Sequence, residues 1–243
     1  MLAEKHGYEL SLLPVDHPGQ EQKSQWLQIR RDKPDYVLMW GWGVMNQVAI
    51  QEAVNIRFPM ENFIGIWWSG SENDVLPAGP KANGYKSLTF HGVGSDFAVL
   101  DDIKKYVVDT GKAAGAGDQV GTVLYNRGLY MAMLHAEAAR TAQDMTGKSA
   151  VSQGDMIKAM EAFEMTEEKM AGLGLANFGP SFKVTCQNHG GDGLVGVAQW
   201  DAGAGKWSMI SDYKQSDQSV VAKLIAEDSA AYAAENNITP NCN

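Results

Sequence analysis

A parallel α/β sheet covered by helices is the fold class this sequence predicts, and two patterns predict it. Short apolar runs alternate with helical spacings through the first third of the chain, and helical patterns then follow one another with no strand between them. A third observation says where such a sheet is used. Four of the seven tryptophans stand at the ends of two apolar runs, as Trp40-Gly41-Trp42 and Trp67-Trp68. In open α/β sheets ligands bind outside the carboxyl ends of the strands, and aromatic side chains there make a wall for a small molecule.

The elements follow in order. Tyr8 to Val15 predicts a strand and His17-Pro18-Gly19 a turn. Gln22, Trp26 and Ile29 mark one face of a helix that stops at Lys33-Pro34, because the residue before proline is pushed out of the helical region. Asp35 to Trp40 is a short continuous apolar run of the kind buried on both faces of a sheet. Met45, Val48, Ala49, Ala53 and Ile56 give a second helix, Phe63 to Trp67 a third strand and Gly84 to His91 a fourth.

From Val93 to about Leu175 the pattern is helical. Phe97, Leu100, Ile103 and Val107 form one face, and a second helix runs from about Tyr125 to Gln143. Its stretch Leu129 to Leu134 is apolar all round, which demands burial on most of its surface. A third helix opens with Ser152 as N-cap and Asp155 three residues on, and carries Met156, Ile157, Met160 and Phe163. Gly193 to Trp200 and Lys206 to Tyr213 then predict a hairpin across Asp201 to Gly205, and a polar helix from about Ser219 to Asn236 closes the chain.

Composition limits the function classes. With 243 residues, 44% hydrophobic and 20% charged, the chain has room for one large or two small domains. Twenty basic against 29 acidic residues give a net charge of −9, and no basic cluster exceeds Arg30-Arg31 with Lys33, so nucleic acid and anionic membrane surfaces are poor partners. No apolar run approaches the roughly 20 residues that span a bilayer, and Met1 to Tyr8 shows no export signal. Cys186 and Cys242 lie far apart and outside any Cys-x-x-Cys pair; a disulfide and two free thiols both fit the residues alone.

The sequence resembles the C-terminal two thirds of a type I periplasmic binding protein of the branched-chain amino-acid-binding (Leu/Ile/Val-binding) family. Asp16-His17-Pro18-Gly19-Gln20-Glu21, Lys33-Pro34-Asp35-Tyr36-Val37 before Trp40-Gly41-Trp42, and Leu76 to Tyr85 carry the resemblance, with Tyr125 to Tyr130 and Gln199-Trp200-Asp201. It implies two α/β lobes with a ligand trapped between them: residues 1–91 as a nearly complete second lobe, 92–178 as a helical segment of a first lobe only partly present, and 179–243 as the return crossing, terminal hairpin and last helix. The remaining first-lobe strands and an export signal are expected upstream of residue 1, and the chain alone is expected to bind ligand weakly. The implied function is that of a periplasmic solute receptor for an ABC importer, with a membrane permease as partner, no cofactor and no direct membrane insertion.

The resemblance implies ligand contacts from Gly41, Trp42 and Gly43 after one strand and from Trp67, Trp68 and Ser69 after the next. Trp40 and Trp67 have an alternative reading as core residues, since neighbours on a strand face opposite ways. The family's amino-acid binders usually place an acidic residue where Trp67-Trp68 stands; Glu72 and Asp74 follow as candidate caps of the next helix. That departure favours an aromatic or apolar organic solute, or a quaternary ammonium, over a branched-chain amino acid. Tyr125 and Arg127 open the buried helix, with Arg127 a carboxylate-binding candidate or, alternatively, a structural ion-pair partner.

Cys186, His189 and Asp192 make a metal set without a fourth ligand, so a structural turn tied by Cys186 to Cys242 is the preferred reading and no metal is expected. Nucleophile-elbow, phosphate-loop and zinc-protease motifs are absent from the sequence, which points away from an enzyme. A ligand-sensing regulator on the same lobes, and an α/β enzyme, remain the alternatives.

Overall fold

The computed structural model describes residues 1–115, 117–239 and 242. The first half runs α1 (Leu2–His6), α2 (Lys23–Asp32), β1 (Val37–Met39), α3 (Val44–Ile56), β2 (Phe63–Gly65), α4 (Glu72–Val75), β3 (Lys86–Thr89) and α5 (Ala98–Ile103). The second half runs α6 (Val123–Thr146), α7 (Gln153–Met160), β4 (Glu164–Met165), α8 (Glu167–Gly172), β5 (Phe182–Lys183), β6 (Leu194–Asp201), β7 (Lys206–Met209), β8 (Lys214–Gln215) and α9 (Gln218–Glu235).

One mixed sheet has the order β1-β2-β3-β6-β7, with β8 paired to β6. β1, β2 and β3 are parallel, with Val37 opposite Phe63 and Ile64 opposite Lys86. The long β6 returns antiparallel to β3, and β7 folds back on it so that Trp200 faces Trp207. The hairpin turns where Asp201 Oδ1 accepts the backbone N–H groups of Gly203 and Ala204, a local bond that aspartate offers at turns.

α2 and α3 cover one face of this sheet. α2 ends at Lys33, whose left-handed backbone returns its N–H to the Ile29 carbonyl just before Pro34. Trp26 and Ile29 from α2, with Ala49, Ile50 and Ala53 from α3, bury against Phe63, Tyr85, Trp200 and Trp207. The rings meet edge to face, Phe63 with Trp26 at 5.2 Å and with Tyr85 at 5.0 Å. A second core lies among the helices, where Tyr130, Ala138, Phe163, Met165, Met170, Leu175 and Phe178 pack together. Ser152 caps α7 through the reciprocal bonds with Asp155 that the sequence predicts.

Several expectations are corrected. Tyr8 to Val15 forms no strand: the segment finds no sheet partner, and Leu12 is 81% exposed. β1 is therefore an edge strand. Only one of its faces is covered, so Leu38 and Trp40, expected to be buried, are 73% and 76% exposed. The helical stretch contains β4, which pairs antiparallel with β5. The apolar turn of α6 is covered on one side only, leaving Met131 exposed at the lip of an open apolar cavity of about 380 Å³ shared with Leu134, Ile157, Met160 and Phe182. α9 is exposed along most of its length, with Val220 its buried residue and Leu224, Ile225 and Tyr232 on the surface. No helix among the described residues is long and apolar enough to cross a membrane.

Candidate functional site

Two loops leave the carboxyl ends of β1 and β2 side by side. The first is Trp40-Gly41-Trp42-Gly43, which feeds α3. Gly43 holds φ 59° and ψ −138°, a backbone region open to glycine, and it turns the chain from strand to helix in one residue. Gly41 is buried, and a side chain there would run into Asn46 Oδ1. The second loop is the single turn Trp67–Ser69 followed by α4.

Buried polar bonds tie these loops together. Ser69 Oγ donates to the Gly41 carbonyl at 2.8 Å, and Tyr85 Oη donates to the Ser69 carbonyl at 2.8 Å. Asn46, fully buried, donates through Nδ2 to the Trp68 carbonyl at 2.8 Å and to Asp74 Oδ1 at 3.1 Å. Asp74 in turn accepts from the backbone and hydroxyl of Ser71, which closes a capping box on α4. Burial raises the Asp74 carboxyl above its ordinary value, against these hydrogen bonds and the nearby Arg127 charge that lower it.

On this floor stand the indoles. Trp42 and Trp68 are each 45% exposed, meet edge to face at 5.8 Å and line an open recess of about 370 Å³. The His17 ring lies 6.1 Å from that of Trp42. Inward, Trp68 packs on Trp67 at 4.5 Å and Trp67 on Phe90 at 5.4 Å. Trp40 points to the other side of β1 and takes no part.

Arg127 closes the inner end of the row. Its guanidinium lies 5.1 Å from the Trp67 ring and 5.7 Å from Phe90, donates through Nη2 to the Trp67 carbonyl at 2.6 Å and through Nε to His91 Nε2 at 3.3 Å. His91 Nδ1 pairs with the Gly92 carbonyl at 2.9 Å, so the proton sits on Nδ1 and Nε2 is the acceptor. Burial, helped by the Arg127 charge, pushes His91 down to about 4, and the ring is neutral near pH 7.

The amino end of α6 is already occupied. Glu72 reaches across from α4 and accepts the Val123 N–H at 3.1 Å, while Thr122 accepts from Tyr125. Burial raises the Glu72 carboxyl above its ordinary value. Tyr125 is half-buried two residues before Arg127 and stands apart from the recess lining. The structure thus gathers Gly41, Trp42, Gly43, Trp67, Trp68, Ser69 and Arg127 in one connected region. Sequence reasoning missed Asn46, Phe90 and His91, and it read Glu72 as a cap of the helix that follows it. Asn46 carried a signal, an amide one turn after a Gly-x-Gly strand exit.

The disulfide joins Cys186 to Cys242 with a Cα–Cα distance of 5.5 Å. Beside it lie His189, a member of the trio considered from the sequence, and Glu161, which stands where that trio had Asp192.

A model of the family described as "Periplasmic binding protein" matches residues 2–206. The chain belongs to the periplasmic binding protein family. A crystal structure described as an ABC transporter permease from the Pseudomonas fluorescens group shares 38% identity and superposes with a TM-score of 0.91, over 100% of this chain and 58% of that one. A branched-chain amino-acid ABC transporter protein from Thermus thermophilus with bound valine gives 16% identity and a TM-score of 0.68, over 88% of this chain and 55% of that one. A solute-binding protein of an ABC transporter from R. palustris, in complex with benzoate, gives 17% and 0.56, over 84% and 50%. The chain therefore spans 50–58% of the length of these three solved chains. No curated protein gives a significant match.

Proposed function

We propose that this periplasmic binding protein chain forms part of a solute receptor for an ABC importer, working in the periplasm with a membrane permease and carrying out no covalent chemistry. The observation that carries the reading is the recess between Trp42 and Trp68 at the carboxyl ends of β1 and β2, where a parallel sheet presents its ligands. Half-exposed indoles on a floor of buried hydrogen bonds form a preorganised apolar surface, and ordering of the wall is complete before a solute arrives. Residues 1–91 are read as one lobe, 92–178 as part of the other and 179–243 as the return between them, with closure of the lobes on solute as the signal to the permease.

The favoured ligand is a small aromatic or apolar organic acid. Trp42, Trp68 and the neighbouring Trp67 supply the apolar wall, with Gly41, Gly43 and Ser69 holding the loops that carry it. Arg127 has guanidinium N–H groups beyond the two engaged with Trp67 and His91, and it supplies a cationic end that a carboxylate can reach as the lobes close. Tyr125 is assigned to the same side. Benzoate in the R. palustris protein and valine in the Thermus protein mark two arms of the test. Thermal melting should rise with benzoate and not with valine or choline, and Trp42→Ala should remove the rise. Melting that responds to none of the three, with any of them chemically converted, would transfer the reading to an enzyme.

A further inference from the structure

We propose that Glu161, Cys186, His189 and Cys242 form a binding site for a divalent metal of the zinc class, open only when the Cys186–Cys242 disulfide is reduced.

The site is built from three places in the chain. Cys186 and His189 stand three residues apart on a turn closed by paired backbone bonds, Thr185 N–H to the Asn188 carbonyl at 3.1 Å and Asn188 N–H to the Thr185 carbonyl at 3.0 Å, so both side chains are held over one loop. Glu161 is the C-cap of α7, where the partial negative charge of the helix end adds to its carboxylate and favours a cation. Ligand atoms of Glu161, Cys186 and His189 all lie within 4.8 Å of one another, and a His189 ring nitrogen is 3.4 Å from the Glu161 carboxylate. Ligands around a tetrahedral zinc stand roughly 3.3 to 3.8 Å apart, so a side-chain rotation of about 1 Å closes the trio. The fourth donor is the sulfur bonded to Cys186 itself, that of Cys242, which follows α9 in the chain. Two thiolates, one imidazole and one carboxylate are a zinc-class donor set, and the same pair of sulfurs in a disulfide cannot provide it.

The exchange balances simply. A dithiol gives two electrons and two protons to the Cys186–Cys242 bond and becomes a disulfide itself. Metal binding then displaces both thiol protons to solvent, while His189 coordinates through a neutral ring nitrogen and Glu161 as its anion.

Reduction of the protein with a water-soluble phosphine, removal of the excess and anaerobic titration with Co²⁺ tests this. The expected result is one equivalent of tetrahedral cobalt with thiolate-to-metal charge-transfer absorption, displaced by Zn²⁺ and absent from the oxidised protein. His189→Ala and Glu161→Gln should each weaken binding by at least about 10-fold, the lower end of what changes around a metal cost. No such absorption in the reduced protein, equal metal uptake with the disulfide intact, or an unchanged spectrum in both variants overturns the proposal. Zn²⁺ should also raise the melting temperature of the reduced protein more than that of reduced Cys242→Ser, which guards against a reduced state that has merely loosened; equal melting with and without Zn²⁺ overturns it as well.

Discussion

In the sheet core Trp26, Phe63, Tyr85, Trp200 and Trp207 interlock with almost no surface left to water, while beside the buried helical core Met131, Ile157 and Met160 stay exposed around a cavity of about 380 Å³. Both regions are rich in large apolar side chains. What separates them is coverage: α2 and α3 lie over the sheet, whereas α6 and α7 have an uncovered side, and the neighbouring turn is held by a disulfide. The tryptophan recess grows from the sealed region. Its indoles are exposed, yet their loops are pinned by Ser69, Tyr85 and Asn46 from below. A rigid floor under an exposed aromatic wall is what a binding surface needs, and an open apolar face without such a floor is a weaker candidate.

The sharpest way to break this contrast is a pair of truncations. Phe63→Ala in the closed core should cost about 3–5 kcal/mol in urea unfolding, and Met131→Ala at the cavity lip no more than about 0.5 kcal/mol. Equal losses would mean that the two regions are sealed alike. Reducing the disulfide, which spans 56 residues, should cost about 4 kcal/mol in the chain-entropy description. Hydrogen exchange should rise in the Thr185–His189 turn and α9 while the sheet amides keep their protection, and exchange rising equally in both would erase the distinction.

Acid supplies the next test. Because burial holds His91 down at about 4 against an ordinary 6.5, the unfolded chain takes up its proton first as pH falls. The stability tied to neutral His91 is fully present above pH 6.5 and is lost between 6.5 and 4, the loss reaching about 3 kcal/mol at the bottom of that window. His91→Phe should be flatter than wild type across this window in unfolding experiments; parallel curves would remove His91 from the account. Asn46→Ala is expected to cost about 1–3 kcal/mol by leaving the Trp68 carbonyl without its buried donor, and to broaden the tryptophan emission.

Much of the fold was legible because its signals are local. The Lys33-Pro34 stop, the Ser152 cap and the Asp201 to Gly205 turn each depend on residues within a few positions, and each stands as expected. Tyr8 to Val15 misled because strand pattern says nothing about whether a neighbouring strand is there to pair with. Leu38 and Trp40 misled for the same reason, since coverage of an edge strand is a property of the whole sheet. At the site, tryptophan placement after strands pointed to Trp42 and Trp68. His91, Glu72 and Glu161 were illegible in their roles because their partners Arg127, Val123 and His189 lie 36, 51 and 28 residues away in sequence.

The measurement that tests the central claim most directly is a benzoate titration of the protein followed by tryptophan fluorescence, in wild type, Trp42→Ala and Trp68→Ala. Weak but saturable quenching is expected in wild type and at least about 30-fold weaker binding in either variant, equivalent to losing a 2 kcal/mol anchor, with unfolding free energy changed by no more than about 0.5 kcal/mol. Saturable binding of undiminished affinity in both variants would contradict the claim, because the solute would then sit elsewhere than between Trp42 and Trp68.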